Sequence, residues 1–208
     1  ITRIIRSMKS ICIVLDPAHG KEVAGKSSPD KTHREYLWSR ERCRSIAIKL
    51  RAIGYEVYFT NTTDYEIGLS KRQRNALNVK TDKKKLLLSL HNDAVGTGTS
   101  WNNARGYSVW TMKGVTKSDE CADIIIDQLR EDFPDIKFRQ YSPKKLDRDF
   151  EANFTVLMGS GYMAVLIEWL FQDNKEDVVE LQDDQINRAY EDSIVKAIEK
   201  INDHFDND

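Results

Sequence analysis

Apolar residues in this chain follow two rhythms: short unbroken runs, and longer stretches with helical spacing. The runs at 11–15, 86–90 and 163–167 have the length and continuity of strands buried on both faces. Residues 55–60 and 107–112 predict two further strands. Between them, Cys43, Ile46, Ala47, Leu50 and Ile53 share one face of a helix predicted over 35–53, which Gly54 stops. Shorter helices are expected over about 70–80 and 119–133, and Ile186, Tyr190, Ile194, Ala197, Ile201 and Phe205 mark a last one. Residues 21–32 and 96–103 predict loops, and the polar segment 134–151, with Pro143, predicts an exposed one. The alternation predicts an α/β fold: a single domain over 11–208, with a mostly parallel twisted sheet flanked by helices on both faces. Residues 1–10 are expected to form an N-terminal extension.

Composition changes this picture little. The 32 basic and 33 acidic side chains leave a net charge of −1, which gives no global attraction to nucleic acid. No apolar run approaches the roughly 20 residues of a membrane span. Arg3, Arg6 and Lys9 are not followed by the apolar stretch of a secretory signal; the chain starts at Ile1 rather than Met, so removal of an upstream segment is expected and this N-terminus gives no direct reading of localisation. Cys12, Cys43 and Cys121 are an odd set without a CxxC pair. Buried free thiols are expected, with a thiolate metal site or nucleophile as the alternative.

The candidate chemistry lies where the apolar runs end. His19 follows the first run in Asp16-Pro17-Ala18-His19-Gly20, and His91 follows the second in Leu88-Ser89-Leu90-His91-Asn92-Asp93. Both are expected just past the carboxyl ends of strands, where open α/β sheets build ligand sites. Glu35 opens the first long helix. Two imidazoles and one carboxylate form a zinc set that leaves a fourth position for water, an arrangement expected to be catalytic rather than structural. Glu168 closes the third run and is read at another strand's carboxyl end. There it could move protons for metal-assisted hydrolysis, or it could begin a helix under the favourable dipole.

Nearby residues carry open readings. Asp16 could orient His19 or cap a turn. His33, two residues before Glu35, is an alternative ligand, although the predicted helix start leaves it in the preceding loop. His204 is expected in solvent. Trp101, Asn102 and Arg105 could border the cleft or merely pack their loop.

These motifs resemble the zinc-dependent N-acetylmuramoyl-L-alanine amidases of the amidase 3 type, over roughly residues 11–203. Asp-Pro-Ala-His-Gly is similar to the family's Asp-Pro-Gly-His-Gly, and Ser89-Leu90-His91-Asn92 to its Ser-Ile-His stretch. Glu35 stands 19 residues before Gly54-Tyr55-Glu56-Val57, as in the family. Residues 153–157 and 165–168, with Phe171 and Asn174, resemble its final block. The resemblance implies that His19, Glu35 and His91 hold one Zn2+ per chain and that Glu168 is the catalytic carboxylate. It also implies peptidoglycan as substrate, cut between the lactyl group of N-acetylmuramic acid and L-alanine. The expected place of action is extracellular, periplasmic or in the wall, including delivery as a phage lysin. A monomer is expected, with an activator protein left open. A zinc peptidase acting on the stem peptide and a non-catalytic wall-binding domain are the rivals. The chain departs from the family at Ala18, where glycine is usual, and at Trp169-Leu170, which predicts a bulkier wall beside Glu168.

Overall fold

A computed structural model describes residues 9–140 and 148–206. It contains the strands β1 (Ile11–Pro17), β2 (Val57–Phe59), β3 (Lys84–Asp93), β4 (Ser108–Thr111), β5 (Phe150–Glu151) and β6 (Met163–Phe171). The helices are α1 (Glu35–Ala52), α2 (Leu69–Leu77), α3 (Lys117–Asp132), α4 (Lys175–Gln182) and α5 (Asp184–Asp206), with a 3-10 turn at Thr155–Leu157. The strands form one sheet in the order β2-β1-β3-β6-β4-β5. β2, β1, β3 and β6 run parallel, while β4 is antiparallel to β6 and carries β5 parallel to itself.

Alternation along the strands separates two apolar layers. Ile11, Ile13 and Leu15 of β1, Leu86, Leu88 and Leu90 of β3, and Val165, Ile167 and Trp169 of β6 face one way. There they pack against α1, α3 and α5 in the larger core. Val14, Leu87, Ala164 and Leu166 face the other way, where Ala76 of α2 and Val156 and Leu157 of the 3-10 turn cover them. The mostly parallel sheet with helices on both faces matches the periodicity. The second face is covered sparsely.

The structure adds several things to the sequence reading. α4 is not among the predicted helices, although Asn174 caps it by accepting from the amides of Glu176 and Asp177 at 2.9 and 3.1 Å. The segment 134–151 is more than an exposed loop. Phe138 packs on Tyr107 at 5.3 Å between ring centroids, and Phe150 and Glu151 form β5. Residues 141–147, including Pro143, lie outside the described residues, as do 1–8 of the expected extension. Ser10 is tied to α5, its amide donating to Asn202 Oδ1 at 2.9 Å. The three cysteines are buried and free.

β6 contains an irregularity that matters for the site. Its register with β3 runs His91↔Glu168 and then Asp93↔Phe171, so β6 fits one more residue into this interval than β3 does. Leu170 takes up the bulge with a left-handed backbone, φ 59. Glu168 therefore does not end its strand, as expected, but lies three residues inside it. His91 likewise falls within β3 rather than past it.

Candidate metal centre and its cleft

The site forms where α1 begins beside the carboxyl ends of β1 and β3. Glu35 is the first residue of α1, and a carboxylate there gains from the helix dipole. It is buried, with one oxygen turned towards both histidines. His91 Nδ1 lies 3.0 Å and His19 Nε2 3.3 Å from Glu35 Oε1, and the two imidazole rings stand almost perpendicular, 5.0 Å apart.

The backbone of His19 is held in a conformation that non-glycine residues rarely adopt, φ 47. Arg40 clamps it from α1, donating to the carbonyls of Ala18 at 2.8 Å and His19 at 2.7 Å. Ser39 ties the same turn to β3: its hydroxyl receives the Ala18 amide at 2.8 Å and donates to the Leu90 carbonyl at 2.6 Å. Gly20 has no room for a side chain, since a Cβ there would sit 2.0 Å from the Glu66 amide nitrogen. Asp16 resolves its open reading by contacting neither His19 nor the cleft. Buried, it accepts from Thr60 and from Ser89 at 2.6 Å, and it faces Arg72 at 3.4 Å. It knits β1 to the end of β2, to β3 and to α2.

The donor set passes a geometric test for a small divalent ion. One ligand atom from each of His19, Glu35 and His91 lies within 4.8 Å of the others. Tetrahedral zinc, with bonds of about 2.0–2.1 Å, needs donors roughly 3.3 Å apart. The two histidine–glutamate separations, 3.0 and 3.3 Å, fit that geometry, while the two imidazole donors lie within 4.8 Å of each other. His33 does not join the set. Its Nε2 pairs with Asn92 Oδ1 at 2.8 Å, and burial lowers its pKa, so it is a satisfied core histidine.

Glu168 lies beside this trio, directly across from His91 in the strand register. Its neighbour β4 offers Ser108 opposite it. The two glutamates are driven apart. Burial alone would raise Glu35, but hydrogen bonds and charge from the two imidazoles hold it well below the usual carboxylate range. Burial pushes Glu168 well above that range, and the carboxylates of Glu35 and Asp93 push it further. Glu168 Oε2 is buried without a hydrogen-bond partner among the described residues. An acid that favours its proton thus faces a carboxylate that resists one. Since Glu168 lies inside β6 and the nearest helix starts at Lys175, the reading as a helix-initiating residue is excluded.

One expectation about the walls is corrected and one open reading is resolved. Trp169 does not thicken the wall beside Glu168, because alternation turns it into the larger core against Tyr190 at 4.6 Å, Phe133 at 5.0 Å and Tyr107 at 5.1 Å. Trp101, Asn102 and Arg105 serve their loop rather than the cleft. Asn102 bonds the Asp173 backbone, Arg105 pairs with Asp177 and Glu180 of α4, and Lys175 lies over the Trp101 ring. His204 is exposed but pairs with Glu120 at 2.6 Å.

Gln172 escaped the sequence reading. Fully buried just past β6, it donates to Glu35 Oε2 at 2.9 Å, while the Asn92 amide reaches Glu35 Oε1 at 3.2 Å. The carboxylate is thereby fixed in rotation, with Oε1 presented to the histidines. A polar residue after an apolar run reads simply as the start of a loop. The bulge at Leu170, which no local pattern announces, sets the position of Gln172.

Comparison with known proteins identifies the family and the fold. The family model described as N-acetylmuramoyl-L-alanine amidase matches residues 13–200. Among solved structures, an N-acetylmuramoyl-L-alanine amidase from Clostridium difficile 630 superposes with a TM-score of 0.78 at 24% identity, covering 92% of this chain and 96% of its own. The amidase Ami1 from Mycobacterium smegmatis gives 0.77 at 17% identity, over 95% and 99%. The CwlD amidase from Clostridioides difficile, solved in complex with the GerS lipoprotein, gives 0.76 at 18% identity, over 91% and 97%. No curated protein matches the sequence.

Proposed function

The chain belongs to the N-acetylmuramoyl-L-alanine amidase family, and from that premise we propose that it is a zinc-dependent hydrolase of peptidoglycan. It cuts the amide between the lactyl group of N-acetylmuramic acid and the L-alanine that begins the peptide stem. The observation that carries this reading is the convergence of His19, Glu35 and His91, with Glu168 in register beside them.

His19, Glu35 and His91 would hold the ion, with Gln172 and the Asn92 amide fixing the Glu35 carboxylate. Zinc bound by such a set acidifies water near neutral pH and polarises an amide carbonyl. Glu168 accepts a proton from the attacking water and returns it to the departing nitrogen, since an amide anion is too basic to leave unprotonated. The C–N bond breaks, leaving a lactyl carboxylate on the glycan and a free amine on L-alanine. The raised affinity of Glu168 for protons favours the first transfer, and the charges of Lys26 and Arg139, which lower that affinity, ease the second. The cell wall is the place of action and a monomer the working form, which light scattering of the purified protein checks.

The test is mass spectrometry of fragments released from purified peptidoglycan. Stem peptides beginning with free L-alanine, beside intact glycan, are expected. Internal or carboxyl-terminal cuts within the peptide would favour a zinc peptidase instead.

A further inference from the structure

The two ends of the cleft differ in chemistry. Across the sheet the order is β1, β3, β6, β4, β5, so His19, His91, Glu168, Trp110 and Phe150 succeed one another from strand to strand. The loop 20–34 follows His19, and its recess of ≈ 540 Å³ is lined by Lys21, Lys26, Lys31 and Arg34. Its two acids are already engaged: Glu22 accepts the Glu66 amide at 2.7 Å, and Asp30 accepts from Ser28 at 2.6 Å. None of the four cations forms an ion pair among the described residues. Lys21 lies over the Tyr65 ring, Lys31 bonds the Ser27 hydroxyl and Arg34 bonds a carbonyl. The Lys26 carbonyl receives the Glu35 amide, which joins this loop directly to the metal centre.

At the other end Trp110 pairs with Leu166, two residues along from the Ser108–Glu168 pair, and therefore shares the face of Glu168. Trp110 stacks on Phe150 with centroids 4.7 Å apart and meets Phe154 at 5.5 Å. Phe154 is 40% exposed and Met158 43%, so the sparsely covered face carries an exposed apolar shelf where Trp110 meets Phe154.

We propose that this cleft binds its substrate in one polarity, with the peptide stem over the basic loop and the saccharide over the Trp110–Phe150–Phe154 shelf. The proposal rests on the amidase reading above. Acylation removes the charge of the stem's terminal amine and leaves its terminal carboxylate, so the leaving half of the substrate is anionic. It suits a loop with four unpaired cations. The pyranose half is uncharged and presents a face of C–H groups, which complements the electron-rich face of an aromatic ring. Reversing the substrate would set a carboxylate on the apolar shelf and strand the cations.

The experiment measures KM and kcat on four soluble substrates: N-acetylmuramoyl and N-lactoyl peptides, each with a free carboxyl terminus or a C-terminal amide. Phe154→Ala and Trp110→Ala are expected to raise KM about tenfold on the muramoyl pair and less than about twofold on the lactoyl pair. Phe154 is already exposed, so its variant keeps the test open if Trp110→Ala folds poorly. The double variant Lys21→Ala, Lys31→Ala should raise KM about three- to tenfold on free-acid substrates only, an effect that shrinks as salt rises. A crossed pattern, with the aromatics sensing the carboxylate and the lysines the sugar, would overturn the polarity. So would equal effects on all four substrates. Failure of the amidase reading is distinguishable, since the wild type would then release no peptide from any of them.

Discussion

Glu35 and Glu168 are the same side chain in neighbouring positions, and their surroundings give them opposite tasks. Two imidazoles keep Glu35 anionic, while apolar burial and like charge keep a proton near Glu168. Replacing Glu168 by Gln preserves shape and removes the proton acceptor, so metal content should persist while kcat falls about 10²- to 10⁴-fold. Retention of both metal and rate would remove Glu168 from the mechanism. Alanine at His19, Glu35 or His91 should each empty the site in a metal assay, whereas His33→Ala should leave it filled. Gln172→Leu should weaken zinc binding roughly 10- to 100-fold in competition with a chelator. A merely structural Gln172 would lower the melting temperature and leave that affinity alone. These roles divide by how they are written in the chain. His19, His91 and Glu168 stand out because each interrupts or ends an apolar run. Gln172 does not, because its contact with Glu35 depends on an extra residue stored in β6.

Periodicity locates β1, β3, α1 and α5 because each obeys one rhythm over most of its length. It does not find β5, only two residues long, or the antiparallel course of β4, which depends on its partner rather than its own residues. α4 does leave a local mark in the Asn174 cap followed by Glu176 and Asp177. Asn174→Ala should cost about 1 kcal/mol in urea unfolding. It should also loosen the 101–105 loop, whose Asn102 carbonyl Asn174 holds at 3.0 Å. The bulge at Leu170 sets two effects against each other. Glycine would relieve left-handed strain of about 1–2 kcal/mol, but it would also empty a fully buried leucine site, a loss of about 2–5 kcal/mol in comparable truncations. Lost packing outweighs relieved strain, so Leu170→Gly should destabilise the protein. A gain in stability would mean that strain, not packing, dominates the bulge.

At the scale of the whole molecule, the trio joins residues 19, 35 and 91, which the unfolded chain keeps far apart. An ion that binds only the folded arrangement adds RT ln(1 + [L]/Kd), about 2.7 kcal/mol at a hundredfold excess over Kd. Removing zinc with a chelator should therefore abolish hydrolysis and lower the melting temperature by about 5–10 °C. An unchanged melting curve would show that the site is not loaded in the folded protein.

The strand order has a consequence in time as well as in space. β6 is the last strand to be synthesised, yet it lies between β3 and β4. Until residue 171 is available, β3 has one unpaired edge and β4 lacks the neighbour that fixes its direction. A growing chain can gather its two histidines and Glu35 early, but it receives Glu168 only when this central gap is filled. Nascent or prematurely ended chains are therefore chemically idle and sticky, and competence to cut arrives in a single late step.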